Sequence, residues 1–225
     1  MNWTYLALAA LGAYVLGSIP FAVVVSRAMR LKDPRTFGSG NPGATNVLRS
    51  GSKVAAGLTL LLDAAKGWLP VALVGWFGAP YGLWEGAQAL VGLAAFAGHV
   101  WPVFLGFKGG KGVATAIGVL LGLSGWLALA TLAVWALVLA ISKMSSLSSI
   151  VAALILPLVY LLGGGPLWDY NRTVLFALVL MVVILVYRHA ANISRILAGT
   201  EPRVGASKKS MVEQQSKPTR KKKAR

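Results

Sequence analysis

The chain alternates long apolar stretches with short polar ones, and the lengths of those stretches set its architecture. Apolar runs between breakers fall at about 3–25, 54–77, 84–105, 112–124, 126–142, 147–163 and 172–190. Most approach the roughly 20 residues that a helix needs to cross a bilayer core about 30 Å thick. This pattern predicts an all-α fold: a polytopic integral membrane helical bundle with about seven transmembrane helices. The fourth run is short for a full crossing and is expected to be tilted or re-entrant. Five crossings are the alternative count.

Charge placement orients the bundle. Arg27, Arg30, Lys32, Arg35, Arg49 and Lys53 follow the first run, and Lys108 and Lys111 follow the third. Lys143 follows the fifth, and Arg188, Arg195 and Arg203 close the seventh. The connections around Gly78 to Gly82, near Ser124, and around Gly163 to Asn171 hold almost no lysine or arginine, with Arg172 the exception. By the positive-inside rule the N-terminus lies outside and the C-terminus in the cytoplasm. Four polar clusters, far apart in sequence, then face one compartment at one depth: the two loops described below, the serines after Lys143, and the region of His189. A site can be assembled there.

Composition agrees. Of 225 residues, 56% are hydrophobic and only 12% charged, with a mean hydropathy of +0.69, far above a soluble domain. The absence of cysteine removes disulfides, thiolate nucleophiles and sulfur-ligated metals together. Two histidines and six scattered acids make a metal site unexpected, and no cofactor is implied. The net charge of +16 is concentrated in a polar tail after Val204 that includes Lys208, Lys209, Lys217, Arg220, Lys221, Lys222, Lys223 and Arg225. Such a tail reads as disordered and near anionic lipid, rather than as a nucleic-acid arm. The expected division is 1–203 for the membrane-embedded domain and 204–225 for the tail. Met1-Asn2-Trp3 lacks the basic start of a signal peptide, so the first run is expected to remain as a helix.

Two glycine-rich segments carry the candidate chemistry. The first, residues 39–49, offers Ser39, Asn41, Thr45 and Asn46 as hydrogen-bond partners, Gly40 and Gly43 to free the backbone, and Arg49 as a planar fork suited to phosphate. The second, residues 106–115, holds Gly109, Gly110 and Lys111 at the start of an apolar helix. It fails as a P-loop, since Gly112 and not Ser or Thr follows the lysine, but backbone donors and the helix dipole there still favour an anion. Lys111, where the helix begins, is better placed than Lys108. His189 and Asn192 share a helix face, and Ser146 and Ser149 are weaker substrate candidates. Asp63 and Lys66, one turn apart inside the second run, read as a structural ion pair, with support of the polar site from below as the alternative. His99 reads as a residue that caps or stabilises the end of the third run. The tryptophans, mostly near predicted ends, read as interface anchors.

The residues Ser39-Gly-Asn-Pro-Gly-Ala-Thr-Asn-Val-Leu-Arg49, Gly98-His99 leading into Phe107-Lys-Gly-Gly-Lys-Gly-Val-Ala-Thr115, His189-x-x-Asn192-Ile-x-Arg195 and Gly199-x-Glu201 resemble the PlsY family. Gly17-Ser18-Ile19-Pro20-Phe21 and Asp63-x-x-Lys66-Gly67 are also similar to it, and the resemblance runs from about residue 14 to 203. Lys143-Met144 departs from the family, where an Arg-aromatic type of pair is expected. The resemblance implies a bacterial acyl-phosphate:glycerol-3-phosphate acyltransferase of the cytoplasmic (inner) membrane, with its active site facing the cytoplasm. It would make lysophosphatidic acid and phosphate, the first step of phospholipid synthesis. The partners implied are acyl phosphate, glycerol 3-phosphate, membrane lipid and the enzyme that makes acyl phosphate, without nucleic acid. Ser39, Gly40 and Gly43 are assigned to the acyl phosphate and Lys111 to a phosphate. Arg49 and Asn192 would hold glycerol 3-phosphate, and His189 would orient or deprotonate its hydroxyl or bond the carbonyl. No His-x4-Asp motif of acyl-CoA-dependent enzymes is present. A carrier for a phosphorylated solute is the alternative of a different class, but neither glycine-rich element is duplicated as an inverted repeat would require.

Overall fold

The computed structural model describes residues 2–204, and every predicted apolar run is helical in it, the first as two helices. The basic tail lies outside the described residues apart from Val204. In chain order the helices are α1 (Trp3–Gly17), α2 (Phe21–Ala28), α3 (Ala44–Leu48), α4 (Lys53–Phe77), α5 (Glu85–Val100), α6 (Val113–Leu123), α7 (Gly125–Ser142), α8 (Ser145–Gly163), α9 (Arg172–Arg188) and α10 (Ala190–Leu197).

Five stretches are long and apolar enough to cross a membrane: Trp3–Ala28, Lys53–Phe77, Glu85–Leu105, Gly125–Ser142 and Ser145–Gly163. The pair α9 and α10 passes the same test together but bends by 58° at His189. The short fourth run is α6, whose 11 residues rise about 16 Å, half of a bilayer core. Exposed side chains such as Leu8, Leu11, Leu61, Leu137, Ile141, Leu154, Leu162 and Val183 cover the outer face, where lipid replaces water. This is a multi-pass membrane protein.

Sequence sets where the helices stop. The first run is expected to be one helix, yet it breaks between Gly17 and Phe21, because Pro20 disfavours helical backbone at Ile19. Asn2 caps α1 by accepting from the Thr4 amide, Ser52 caps α4 through Ala55, and Asn171 caps α9 through Thr173. Lys143 adopts left-handed backbone, φ 58°, to turn α7 into α8.

Small residues let the helices touch. A Cβ on Gly17 would collide with the backbone of Ala95, and one on Gly98 with Tyr14 and Ser18, so α1 and α5 pack backbone to backbone. Gly67 lies against Thr115 and Gly118 against Ala64, which does the same for α4 and α6. Tyr14 donates to the Trp101 carbonyl at 2.7 Å, and the Val103 amide donates to Ser18 Oγ at 3.3 Å, tying the end of α1 to the segment that leads into the second glycine-rich loop. The largest core cluster joins Phe96, Val119, Leu120, Leu127, Leu156, Leu178 and Met181 from α5 to α9.

Gly118→Leu should therefore lower the thermal unfolding temperature in detergent by several degrees, since overpacking costs about 1–3 kcal/mol. Gly12→Ala, where nothing lies within 4 Å, should leave it unchanged or raise it. Equal melting of Gly118→Leu and the parent protein would contradict the close α4–α6 contact.

Candidate active site

The first glycine-rich segment is organised around one buried amide. Asn46 Nδ2 donates both hydrogens inward, to the Pro34 carbonyl at 2.6 Å and the Phe37 carbonyl at 3.1 Å, while its Oδ1 accepts the Ser39 amide at 3.0 Å. The expectation that Asn46 contacts substrate is thus corrected: its amide hydrogens are taken up in shaping the loop. The loop amides are used similarly, Gly40 N–H to Phe37 and Gly43 N–H to Asn41. What the loop presents is side chains. Ser39 and Thr45 are exposed, Asn41 and Gly43 are half-buried beside each other, and the exposed Arg49 side chain lies against Gly38. Gly40 supplies the required left-handed turn at φ 66°.

The second segment overturns another expectation. The amides of Gly109 and Gly110 do not point at an anion; they bond the carbonyls of Val100 and His99, both at 3.1 Å. Their own carbonyls accept from Arg188, at 2.7 Å to Gly109 and 3.1 Å to Gly110. Held from both sides, the buried glycines deliver Lys111. Lys108 is exposed, whereas Lys111 is half-buried, directly before the start of α6, whose first amides take no side-chain cap.

Lys111 Nζ donates to Asn192 Oδ1 at 2.6 Å, and Asn192 Nδ2 donates to Glu201 Oε1 at 2.6 Å. Glu201 Oε1 also accepts from Ser146 Oγ at 2.6 Å, and Oε2 accepts from Arg195 Nε at 2.7 Å. Sequence reasoning assigned Glu201 no role in the site, and it proves to be the junction. A lone acid within a stretch holding Arg188, Arg195 and Arg203 was the available signal. The segment after α10 turns at Gly199, φ 70°, and is pinned where the Val204 amide meets the Lys143 carbonyl at 2.7 Å. That places Glu201 over the start of α8.

Electrostatics follow from this packing. Burial lowers the Lys111 ammonium to about 8; Glu201 opposes the shift, while Arg195, Arg49 and Arg188 add to it. Burial would raise the Glu201 carboxyl, but the bonds from Ser146, Asn192 and Arg195 outweigh it and hold the group below the ordinary range. His189 is buried at the α9–α10 break with Nδ1 2.8 Å from the Leu185 carbonyl. A carbonyl can only accept, so Nδ1 carries the hydrogen and Nε2 of the neutral ring is an acceptor.

Of the residues predicted from sequence, Arg49, Lys111, Ser146, His189 and Asn192 share one neighbourhood. Ser149 does not, and its place in a polar site is corrected: its hydroxyl bonds the Ser145 carbonyl at 2.9 Å and accepts from Trp135 Nε1 at 3.2 Å. It lines an apolar groove of about 420 Å³, open mouth included, between α6, α7, α8 and α9. Val113, Ala116, Ala153, Met181 and Leu185 form its walls. The groove begins beside the polar cluster, because Val113 follows Lys111-Gly112 and Leu185 is the partner of His189. Among the described residues no group of three or more His, Cys, Asp or Glu could hold a metal ion.

One family, described as glycerol-3-phosphate acyltransferase, matches residues 7–199. A protein of that name from Albidiferax ferrireducens is 61% identical over 208 residues, 92% of each chain. Another, from Chromobacterium violaceum, is 52% identical over 195 residues, 87% of this chain and 93% of that one. The chain belongs to the glycerol-3-phosphate acyltransferase family. The crystal structure of PlsY (YgiH), an integral membrane glycerol 3-phosphate acyltransferase, superposes in its glycerol 3-phosphate form with a TM-score of 0.80 at 39% identity, covering 89% of this chain and 96% of that one. Its lysophosphatidic acid form gives 0.79 at 36%, covering 95% and 100%. The polar cluster and the groove beside it are therefore features of a membrane acyltransferase.

Two pH effects of opposite sign are expected in this acyltransferase. The fold depresses Lys111 from 10.5 to about 8, so between those values the unfolded chain holds a proton that the folded one has released. Stability of the ligand-free protein should rise across that window, while affinity for a phosphate falls as the ammonium discharges. Lys111→Met should abolish both trends. Denaturant titrations and glycerol 3-phosphate binding at pH 7 to 10 would check this, and affinity and stability declining together would contradict it.

Proposed function

We propose that this enzyme transfers an acyl group from an acyl phosphate to the sn-1 hydroxyl of glycerol 3-phosphate, releasing lysophosphatidic acid and inorganic phosphate. One observation carries the reading. Several cations, Arg49, Lys111, Arg188 and Arg195, gather around a single carboxylate at the mouth of an apolar groove. Two phosphates and one alkyl chain are the groups this arrangement accommodates.

The acyl chain would lie in the groove with its carbonyl at the mouth. Lys111 and Arg49 would neutralise the phosphates, each exchanging a protein partner or water for a phosphate oxygen. The hydroxyl oxygen of glycerol 3-phosphate attacks the carbonyl carbon, and the bond from that carbon to the phosphate oxygen breaks. Phosphate departs with the electron pair, and the hydroxyl proton passes to a base. With Nδ1–H fixed on Leu185, His189 offers Nε2 as an acceptor for that hydroxyl, which favours orientation or deprotonation over donation to the carbonyl. A mixed anhydride already has a good leaving group, so an acyl-enzyme is unnecessary. Ser146, bonded to Glu201 and not to an imidazole, is not an activated nucleophile. Positioning beside the carbonyl supplies much of the acceleration, with charge stabilisation at the leaving phosphate.

We further infer from the charge of the loops that the site faces the cytoplasm of the bacterial inner membrane. An enzyme of the class that forms acyl phosphates must supply the donor.

Reconstituted protein given labelled glycerol 3-phosphate should form lysophosphatidic acid with palmitoyl phosphate, and not with palmitoyl-CoA or without donor. Label accumulating inside vesicles without product would instead support a carrier. Lys111→Ala and Arg49→Ala should each reduce kcat/KM by about 10²–10³-fold, the scale for removing one stabiliser of developing charge. Near-normal kinetics in either variant would remove that residue from the site. For His189→Ala, an effect mainly on KM would argue against general-base catalysis.

A further inference from the structure

A second buried polar cluster lies beneath the site. Lys66 Nζ is 2.8 Å from Asp63 Oδ1, and His99 Nδ1 is 3.5 Å from the same oxygen. Lys66 also donates to the Ile19 carbonyl at 2.7 Å and sits 5.5 Å from the ring centre of Phe21. All three side chains are buried, and neither Asp63 Oδ1 nor His99 Nδ1 has a well-formed hydrogen bond among the described residues. We propose that Asp63, Lys66 and His99 act together as positioning residues for Lys111, fixing from inside the bundle the place to which the second glycine-rich loop delivers that ammonium.

The loop is built directly on His99. The Gly110 amide bonds the His99 carbonyl, the Gly109 amide bonds the carbonyl of Val100, and a Cβ on Gly110 would overlap His99 Nε2. The loop and the imidazole are therefore in contact without slack, and Arg188 closes the other side. Between His99 and α6 the backbone is left-handed at Gly106, Phe107 and Gly112, with φ of 57°, 63° and 86°. Beyond a short 3-10 turn over Val103–Leu105 the segment has no repeating hydrogen-bond ladder, so its anchors set its position.

Those anchors belong to α4 and α5, and through Ile19 to the break between α1 and α2. Pro42 of the first glycine-rich segment borders the same small cavity as Asp63, Lys66, His99, Gly109 and Gly110. One ion cluster thus registers both loops against a common core. Stability alone does not require it. An apolar replacement of a buried ion pair is often neutral or stabilising, whereas paired charges and directed hydrogen bonds specify register.

The proposal rests on Lys111 belonging to the site described above, and its test includes a readout independent of acyl transfer. In full-length protein held in lipid nanodiscs, the pH dependence of Lys111 modification by an amine-reactive reagent, followed by mass spectrometry, titrates that side chain directly. His99→Ala and the double variant Asp63→Leu with Lys66→Met should release the loop and move the Lys111 titration from about 8 toward the ordinary 10.5. They should also reduce kcat/KM for glycerol 3-phosphate by about 10²-fold, the scale for misplacing a group by an ångström. His99→Gln, which keeps a polar side chain of similar reach, should restore most of both. An unchanged Lys111 titration in folded His99→Ala and in the double variant would overturn the proposal. So would variants that merely fail to fold, since the cluster would then be a stability element. If the parent protein makes no product from acyl phosphate, the proposed reaction falls, while the titration still decides the role of the cluster.

Discussion

Glu201 governs the basic end of the bundle. Three donors from two helices, Ser146 on α8 and Asn192 and Arg195 on α10, converge on its two oxygens. Through Asn192 it also holds Lys111, which arrives on a loop between α5 and α6. Without that carboxylate, Lys111, Arg49, Arg188 and Arg195 would repel one another, and of the bonds named here the last described segment would keep only that of the Val204 amide to the Lys143 carbonyl beside the start of α8. One negative charge allows several positive ones to coexist at short range. It also leaves a net positive field, which a substrate carrying phosphate can complete.

The glycine-rich loops achieve precision differently from a phosphate-binding loop. Their amides mostly face inward, onto Asn46, Phe37, Val100 and His99. They are small so that backbone can lie on backbone or on an imidazole, and the charged side chains at their ends are thereby held in place. The same economy of side-chain volume brings α1 against α5 and α4 against α6 through Gly17, Gly98, Gly67 and Gly118. Tight helix packing and loop placement are one construction, and the apolar groove lies between α6, α7, α8 and α9.

Much of this was legible in the residues. Each apolar run became helical, the first as two helices broken before Pro20, because span length and lipid exposure are written directly in composition. The Asp63–Lys66 pair was expected from its spacing and is present. Arg49, Lys111, Ser146, His189 and Asn192 were expected at one end and share it. What stayed hidden depended on tertiary geometry. Spacing within a loop does not reveal which way an amide faces, so the roles expected of Gly109, Gly110 and Asn46 were inverted from contact to scaffold. Ser149 shares a helix face with Ser146, but one turn further along α8 it lines the groove while Ser146 meets Glu201. Glu201 belongs to no periodic element, and its importance arises from a turn at Gly199 that brings it back over Ser146.

The central claim is that cations carried by separate segments form one seat for glycerol 3-phosphate beside the groove. A crystal structure of this protein with glycerol 3-phosphate bound tests it most directly. The account predicts phosphate oxygens at about 3 Å from Lys111 Nζ and from the Arg49 guanidinium, with the sn-1 hydroxyl directed at His189 Nε2. Phosphate density elsewhere, with Lys111 still bonded to Asn192 and Arg49 remote from the ligand, would contradict it.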